Sequence, residues 1–330
     1  LKAPAPGYIE VRQRTMRASL GSNGAFRHEA LFYRGEDEFL AGTVPFVREA
    51  VSAGEPVLVA VHPRKAASMR AELGADAAGV QFVDMPRLGR NPARIIPAWR
   101  DFVSANLGEG SPVRGVGEPI WPGRTPAELV ECQRHEWLLN LAFTDAPAWW
   151  LLCPYDASRL EPEVLDAACK THPHLAENGD THESDRYCDP ELEGDPFAER
   201  LPPPPESPEQ LAFTLDDLPL VRRIVERRAS AAGLDETRTG DLLLAVSELA
   251  ANSVLHGGGS GRLSLWEEGE QILCEVRDAG VIDDPLVGRE RPEPTWPDGR
   301  GLWITNQLCD LSQIRSLPDG NIVRVQMSLN

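Results

Sequence analysis

Glu248, Asn252 and His256 stand four residues apart in the run Glu248-Leu249-Ala250-Ala251-Asn252-Ser253-Val254-Leu255-His256-Gly257. On a helix that interval brings all three to one side. An Asn side-chain oxygen is a hard, neutral ligand for Mg²⁺, which takes one or two protein oxygens together with substrate phosphates. A Glu one turn earlier can accept the proton of an attacking hydroxyl or water. Two further pieces follow, Asp278-Ala279-Gly280 and Gly299-Arg300-Gly301-Leu302-Trp303. Asp278 closes a strand-like run from Gln271 to Arg277, where its carboxylate would accept a hydrogen bond from an adenine amino group. Gly280 would let backbone come close to the base. Gly299, Arg300, Gly301 and Leu302 open an expected helix, whose free N–H groups favour phosphate. In this order the three pieces predict a pocket for ATP with Mg²⁺. Glu248 is its base, Asn252 its metal ligand, and His256, Asp278, Gly280, Gly299, Arg300, Gly301 and Leu302 face the nucleotide. Arg300 would touch a phosphate, although an Arg between two glycines can equally be a solvated loop residue.

The elements that must position these groups are legible as patterns. Helices are expected around Pro219 to Ala232 and Thr237 to His256, strands near Gly261 to Trp266 and Ile272 to Arg277, then a helix from Leu302 and a last strand, Ile322 to Leu329. That is an α+β sandwich, an antiparallel-rich sheet backed by helices. The three pieces resemble the N, G1 and G2 boxes of the Bergerat-type ATPases, the superfamily of histidine kinases and gyrase. The phrases "LLLAVSELAANSVLHGG" and "GRGLWITNQLCDLSQIRS" resemble more closely the small serine-kinase anti-sigma factors of bacteria. The resemblance implies a serine/threonine kinase that phosphorylates an antagonist (STAS-type) protein, the anti-anti-sigma factor, and holds a sigma factor. It also implies a homodimer. In that reading Val281 to Asp298 is a lid over the triphosphate. Its first part, "DAGVIDDP", lacks the extra glycine common in the family after Asp-x-Gly, which bears on lid geometry and turnover.

The first half alternates differently. Strands are expected at Glu29 to Tyr33, Pro56 to Val61, Val80 to Asp84, Gly115 to Ile120 and Trp149 to Cys153. Between them run amphipathic stretches, Glu36 to Ala53, Pro63 to Leu73, Pro92 to Leu107 and Pro126 to Phe143. This alternation predicts an α/β domain with a Rossmann-like parallel sheet. The loop after Tyr33 is Arg34-Gly35-Glu36-Asp37-Glu38, whose three carboxylates would repel phosphate, so no nucleoside triphosphate is expected there. The phrases "HEALFYRGEDEFLAGTVPFV", "FVDMPRLGRNPARII", "ELVECQRHEWLLNLAF" and "LLCPYD" resemble the MEDS sensory domain. That resemblance implies a relative of recombinase-type ATPases with its phosphate loop lost, sensing an unspecified small molecule. The expected organisation is therefore a MEDS-like sensory domain over 1–195, a proline-rich linker over 196–209 and the ATPase domain over 210–330. The run Pro202 to Pro205 reads as a semi-rigid polyproline spacer. The stretch from Gln210 onward is expected to bind ATP and transfer phosphate by itself.

Composition narrows the partners. A formal charge of −18 over 330 residues argues against direct nucleic-acid binding, since a phosphate backbone would be repelled. No apolar run is long enough to cross a bilayer. The six cysteines are scattered and read as reduced residues of a cytoplasmic protein. The chain begins with Leu, which leaves a preceding signal open. His28, Cys132, His135 and Cys153 could converge on a metal, haem or small ligand; the preferred reading is packed core. Cys169, His172, His174, His182 and Cys188 form an irregular series that does not match zinc spacing and reads as a polar loop. Trp99, Trp121, Trp137, Trp149 and Trp150 would either line an apolar pocket or fill the core. Two further function classes remain open. A sensor histidine kinase would need a dimerisation helix pair carrying a His ahead of the ATPase, where a proline-rich stretch stands instead. A module that binds ATP without turnover would not need Glu248.

Overall fold

The computed structural model describes residues 26–106, 112–146, 148–177, 179–292 and 299–329. Contacts divide it into two compact units that are discontinuous in sequence. Unit 1 comprises the chain up to Met85 with Arg100–Gly123 and Leu139–Glu193; unit 2 comprises Pro86–Trp99, Arg124–Leu138 and Gly194–Asn330.

In unit 1, strand β1 (Phe26–Tyr33) leads into helix α1 (Gly35–Ala53), then β2 (Val57–Val61), α2 (Pro63–Leu73) and β3 (Val80–Asp84). The chain continues through α3 (Met85–Leu88), α4 (Ile95–Asn106), β4 (Val113–Gly117), α5 (Pro126–Ala142), β5 (Trp149–Asp156) and α6 (Pro162–Thr171) to β6 (His174–Glu177) and β7 (Asp180–Glu183). The sheet order is β3-β2-β4-β5-β1-β6-β7, parallel throughout except for the β6–β7 hairpin. Strand β2, Val-Leu-Val-Ala-Val, is buried at every position, as a parallel strand covered on both faces must be. The expected strands and helices are present with shifted ends. The strand expected at Gly115 to Ile120 runs instead from Val113 to Gly117, ending before Pro119, which has no N–H for a ladder. Helix α6 and strands β6 and β7 are additions; four-residue strands carry too little pattern to be read from sequence.

Unit 2 is built on strands β8 (Glu209–Thr214), β9 (Ser260–Glu268), β10 (Gln271–Asp278), β11 (Leu311–Leu317) and β12 (Gly320–Ser328), in the order β11-β12-β10-β9-β8. Every pairing is antiparallel. Helices α7 (Leu218–Ala232), α8 (Glu236–His256) and α9 (Arg300–Leu308) complete it. One face of α7 and α8 buries Val225, Ala229, Leu242, Val246 and Leu249 with Leu263, Leu265, Cys274, Val276 and Val325 of the sheet. Asp235 caps α8, its carboxylate accepting from Arg238 N at 2.8 Å, and Pro219 stands in the first turn of α7. Strands β8 and β11 were not among the expected elements. The β11–β12 hairpin turns at Asp319-Gly320, a turn signal that marks it in retrospect.

Unit 2 also takes in stretches that precede residue 194 in sequence. The last carbonyls of a helix need outside partners, and Arg94 supplies them for α9. Its Nε donates to Asn306 O at 3.0 Å and its Nη2 to Gln307 O and Cys309 O at 2.6 and 3.0 Å. Asn91 Nδ2 donates to Asn306 O at 3.1 Å and Ser312 Oγ at 2.6 Å. From α5, Glu131 Oε1 lies 2.8 Å from Arg315 Nη2, with both side chains 1% exposed. The proline-rich segment also lies on this unit instead of standing off as a spacer. Arg324 Nη2 donates to Pro202 O at 2.5 Å and Arg315 Nε to Glu199 O at 3.0 Å, and Leu201 is buried. Buried guanidinium groups need such acceptors.

Asp310, after α9, ties three parts of unit 2 together. Its carboxylate accepts from Ser328 N at 2.8 Å, from Arg90 Nη1 at 3.0 Å and from Arg238 Nη2. Burial alone would raise its pKa, but these three donors outweigh it and hold it below 3.8. A carboxyl depressed in the fold stabilises above its unfolded pKa, and that stabilisation is lost as pH falls through the folded value. Asp310→Asn is expected to cost about 1–3 kcal/mol at pH 7. Urea denaturation of both proteins should show the gap closing as pH falls below 3.8; a gap independent of pH would exclude the charged contacts as its source. Among the described residues no helix is long and apolar enough to cross a membrane.

Candidate functional site

Three elements of unit 2 converge on one cavity. Helix α8 presents Leu249, Asn252, Ser253 and His256; the end of β10 brings Val276 and Asp278; the start of α9 brings Gly299, Gly301 and Leu302. All of these line one cavity of about 340 Å³, closed by Val281 to Asp284, Val287, Asn321 and Val323. This is within the range of ligand pockets, about 300–1,000 Å³. Aliphatic walls come from Leu249, Val276, Val281, Val287, Leu302 and Val323, and polar side chains from α8, Asp278, Asp283, Asp284 and Asn321 stand among them.

Asp278 is oriented by three donors. Ser253 Oγ donates to its Oδ2 at 2.7 Å, while Gly280 N and Asn321 Nδ2 both donate to Oδ1 at 2.9 Å. An ionised carboxylate offers about four acceptor positions, so these bonds leave room for one donor from a ligand. An adenine amino group over the aliphatic walls fits that description. Ser253 and Asn321 are site residues that the sequence motifs did not reveal. Ser253 is hidden as the neighbour of Asn252, and Asn321 is distant in sequence but pairs with Asp278 across β10 and β12.

Gly280 stands behind Asp278, outside the cavity lining. A Cβ there would come within 2.8 Å of His256 O and 3.0 Å of Asn321 Nδ2, so its lack of a side chain allows the turn to pack beneath the carboxylate. Gly301 has a second role. A Cβ on it would lie 2.9 Å from both Asn252 Nδ2 and Glu248 Oε2, which places the ends of both side chains against the first turn of α9. Glu248 itself is half-buried, outside the cavity lining and one turn before Asn252. Arg300 and His256 are exposed, His256 at the cavity rim. Helix α9 begins after Gly299, which holds φ +91°.

Gly301→Ala therefore separates fold from site. Ala suits a helix better than Gly by about 0.5–1 kcal/mol, and the groups it meets are flexible side-chain ends. Thermal stability is expected to hold or rise while ATP affinity in isothermal titration drops about tenfold or more, roughly 1.4 kcal/mol. Unchanged affinity would remove Glu248 and Asn252 from the site.

The first part of the expected lid is anchored. Ile282 N donates to Ser316 Oγ at 2.9 Å and Asn306 Nδ2 to Gly288 O at 2.8 Å. Arg289 is 3% exposed and lies 3.6 Å from Glu131. Burial lowers its pKa to about 10, so it stays cationic at neutral pH. Residues 293–298 of the lid lie outside the described residues.

In unit 1 the expected groupings are rearranged. His28 and Cys153 come together, with Cys153 Sγ 3.4 Å from His28 Nε2. They are joined by His172, which sequence spacing assigns to the later Cys/His series, and Cys132 and His135 are not in this group. Trp99, Trp137 and Trp149 are core residues. Trp150 instead lines a cavity of about 560 Å³ with Glu29, Glu38 and Phe46.

Residues 27–173 match the family model described as MEDS, the methanogen/methylotroph, DcmR sensory domain. Residues 211–327 match the histidine kinase-like ATPase domain. No curated protein matches the chain. Among solved structures, the RsbU and RsbW domains of Rv1364c from Mycobacterium tuberculosis are similar at 18% identity and a TM-score of 0.28, over 36% of this chain and 32% of that one. The histidine kinase AdeS of Acinetobacter baumannii gives 12% identity and 0.24, over 37% and 68%. The catalytic domain of the histidine kinase ThkA gives 16% and 0.24, over 36% and 95%.

Proposed function

We propose that this chain, which carries a MEDS domain followed by a histidine kinase-like ATPase domain, is an anti-sigma regulatory factor. It uses ATP to phosphorylate a serine or threonine of a STAS-type antagonist, under control of its N-terminal half. The observation that carries the reading is the convergence of Glu248 and Asn252 on Gly301 at the edge of the cavity. A domain of this type binds ATP; a base beside the pocket is what turnover adds.

Asp278, held by Ser253, Gly280 and Asn321, selects the adenine. Asn252 offers its side-chain oxygen to Mg²⁺, which when bound would neutralise charge on the phosphates. Gly299, Arg300, Gly301 and Leu302 bring the N-terminal amides of α9 toward the triphosphate. Glu248, outside the lining, is placed to take the proton of a hydroxyl arriving from a protein substrate. For control, Glu131 belongs to the stretch matched by the MEDS model, and its partners Arg289 and Arg315 to the ATPase stretch. A shift of α5 would therefore be felt by the lid. Such coupling is commonly worth about 1–3 kcal/mol.

The alternative of a sensor histidine kinase is disfavoured on two grounds. No α-helix occurs among the described residues between Thr171 and Leu218, where a phospho-acceptor helix pair would stand. His135, whose neighbour Glu136 gives it the look of an acceptor, is 1% exposed. Incubating the chain with radiolabelled ATP and STAS-type proteins tests the proposal, the expected result being label on a serine or threonine of the added protein. Label retained on a histidine of the chain would establish the histidine kinase. ATP binding without transfer would establish a sequestering module.

A further inference from the structure

We propose that unit 1 holds a buried transition-metal site, for an ion of the zinc or cobalt(II) class, on His28, Cys153 and His172. The three side chains are 1%, 1% and 0% exposed, and their ligand atoms lie within 4.8 Å of one another. His28 comes from β1 and Cys153 from its parallel neighbour β5, where Ala30 is the register partner of Cys153. His172 comes from the residue that ends α6.

The orientation of each imidazole follows from its second nitrogen. Asn140 Nδ2 donates to Thr171 O at 2.8 Å, which turns its Oδ1 toward His28 and makes it the acceptor for His28 Nδ1–H at 3.1 Å. The lone pair of His28 is thereby on Nε2, the atom 3.4 Å from Cys153 Sγ. His172 Nδ1 donates to Ala168 O at 2.9 Å, so its lone pair is also on Nε2. Both rings thus point lone pairs inward while a carbonyl holds the opposite N–H, the outer arrangement that metal-binding histidines show. The rings lie 4.0 Å apart between centroids.

The spacing also fits. With Zn–S about 2.3 Å and Zn–N about 2.0 Å, tetrahedral S and N ligands stand about 3.5 Å apart, close to the 3.4 Å between Cys153 and His28. A thiol and two imidazoles form a donor set of the zinc type. Calcium and magnesium, which take oxygen ligands, are excluded by the sulfur and nitrogen donors. The competing account of the same distances is a dry hydrogen bond from the Cys153 thiol to His28.

Titration of the full-length chain with Co²⁺ alone, after stripping with a chelator, distinguishes the two. One equivalent should bind with a thiolate-to-cobalt charge-transfer absorption, and Zn²⁺ should displace it. Cys153→Ser should abolish that absorption. Asn140→Ala, which leaves the ligands in place, should weaken Zn²⁺ binding about 10–100-fold. The paired change Cys169→Ser with Cys188→Ser should leave the titration unaltered. Absence of the absorption in the unmodified protein overturns the site whatever the variants do. So does an absorption that survives in Cys153→Ser and disappears with Cys169 and Cys188.

Discussion

Glu248→Gln is expected to bind ATP as the unmodified chain does, yet to transfer phosphate about 10²–10⁴-fold more slowly. Gln preserves the shape of the side chain and its contact with the first turn of α9 at Gly301. What it loses is the carboxylate proposed to accept the hydroxyl proton. The cavity is lined without Glu248, so nucleotide binding in it is expected to be untouched. Single-turnover transfer to a STAS-type protein, measured beside isothermal titration with ATP, separates the two quantities. Equal transfer rates would leave the site without its base and favour a module that binds ATP without turnover. A parallel loss of affinity would instead make Glu248 part of the nucleotide cradle.

Glu131→Ala is expected to destabilise unit 2 by about 3–5 kcal/mol, the range found when one partner of a buried ion pair is removed. Glu131 is the carboxylate that Arg315 and Arg289 share, at 2.8 and 3.6 Å, and all three side chains are nearly inaccessible. Alanine would leave two buried guanidinium groups with less compensation. Arg315 keeps bonds to Glu199 O and Ile314 O, so Arg289 and the lid segment it anchors should suffer most. Hydrogen exchange resolved by segment is the suitable measurement, because a chain with two units need not unfold in one step. Faster exchange is expected first in 282–292 and then in β11. A loss below about 1 kcal/mol, the level of an exposed pair, would show that Glu131 is solvated in solution.

The same contacts explain why 210–330 by itself is expected to be a weaker protein than its motif content suggests. It would lack Asn91 and Arg94 at the end of α9 and Glu131 beside Arg315.

Much of this molecule is legible from sequence because local rules govern it. The four-residue interval of Glu248, Asn252 and His256 places them on one side of a helix by geometry alone, and α8 is found at Glu236–His256. Alternating apolar runs and amphipathic stretches identify the parallel sheet of unit 1, since buried parallel strands have no polar face to show. Short or edge elements escape: β6 and β7 have four residues each, and β8 and β11 stand at the two edges of their sheet.

Tertiary structure alone decided the rest, and the physical reason is the same in each case. Ser253 and Asn321 acquire meaning only because Asp278 needs donors, and β12 delivers Asn321 from 43 residues away. Arg94, Asn91 and Glu131 lie in a stretch whose pattern reads as part of the first domain, yet they satisfy carbonyls and charges of unit 2. His172 separates from its sequence neighbours and faces His28 because α6 ends beside β1. Periodicity reports which side of an element is apolar. Which buried polar group finds which partner depends on how the elements are stacked, and no spacing along the chain encodes that.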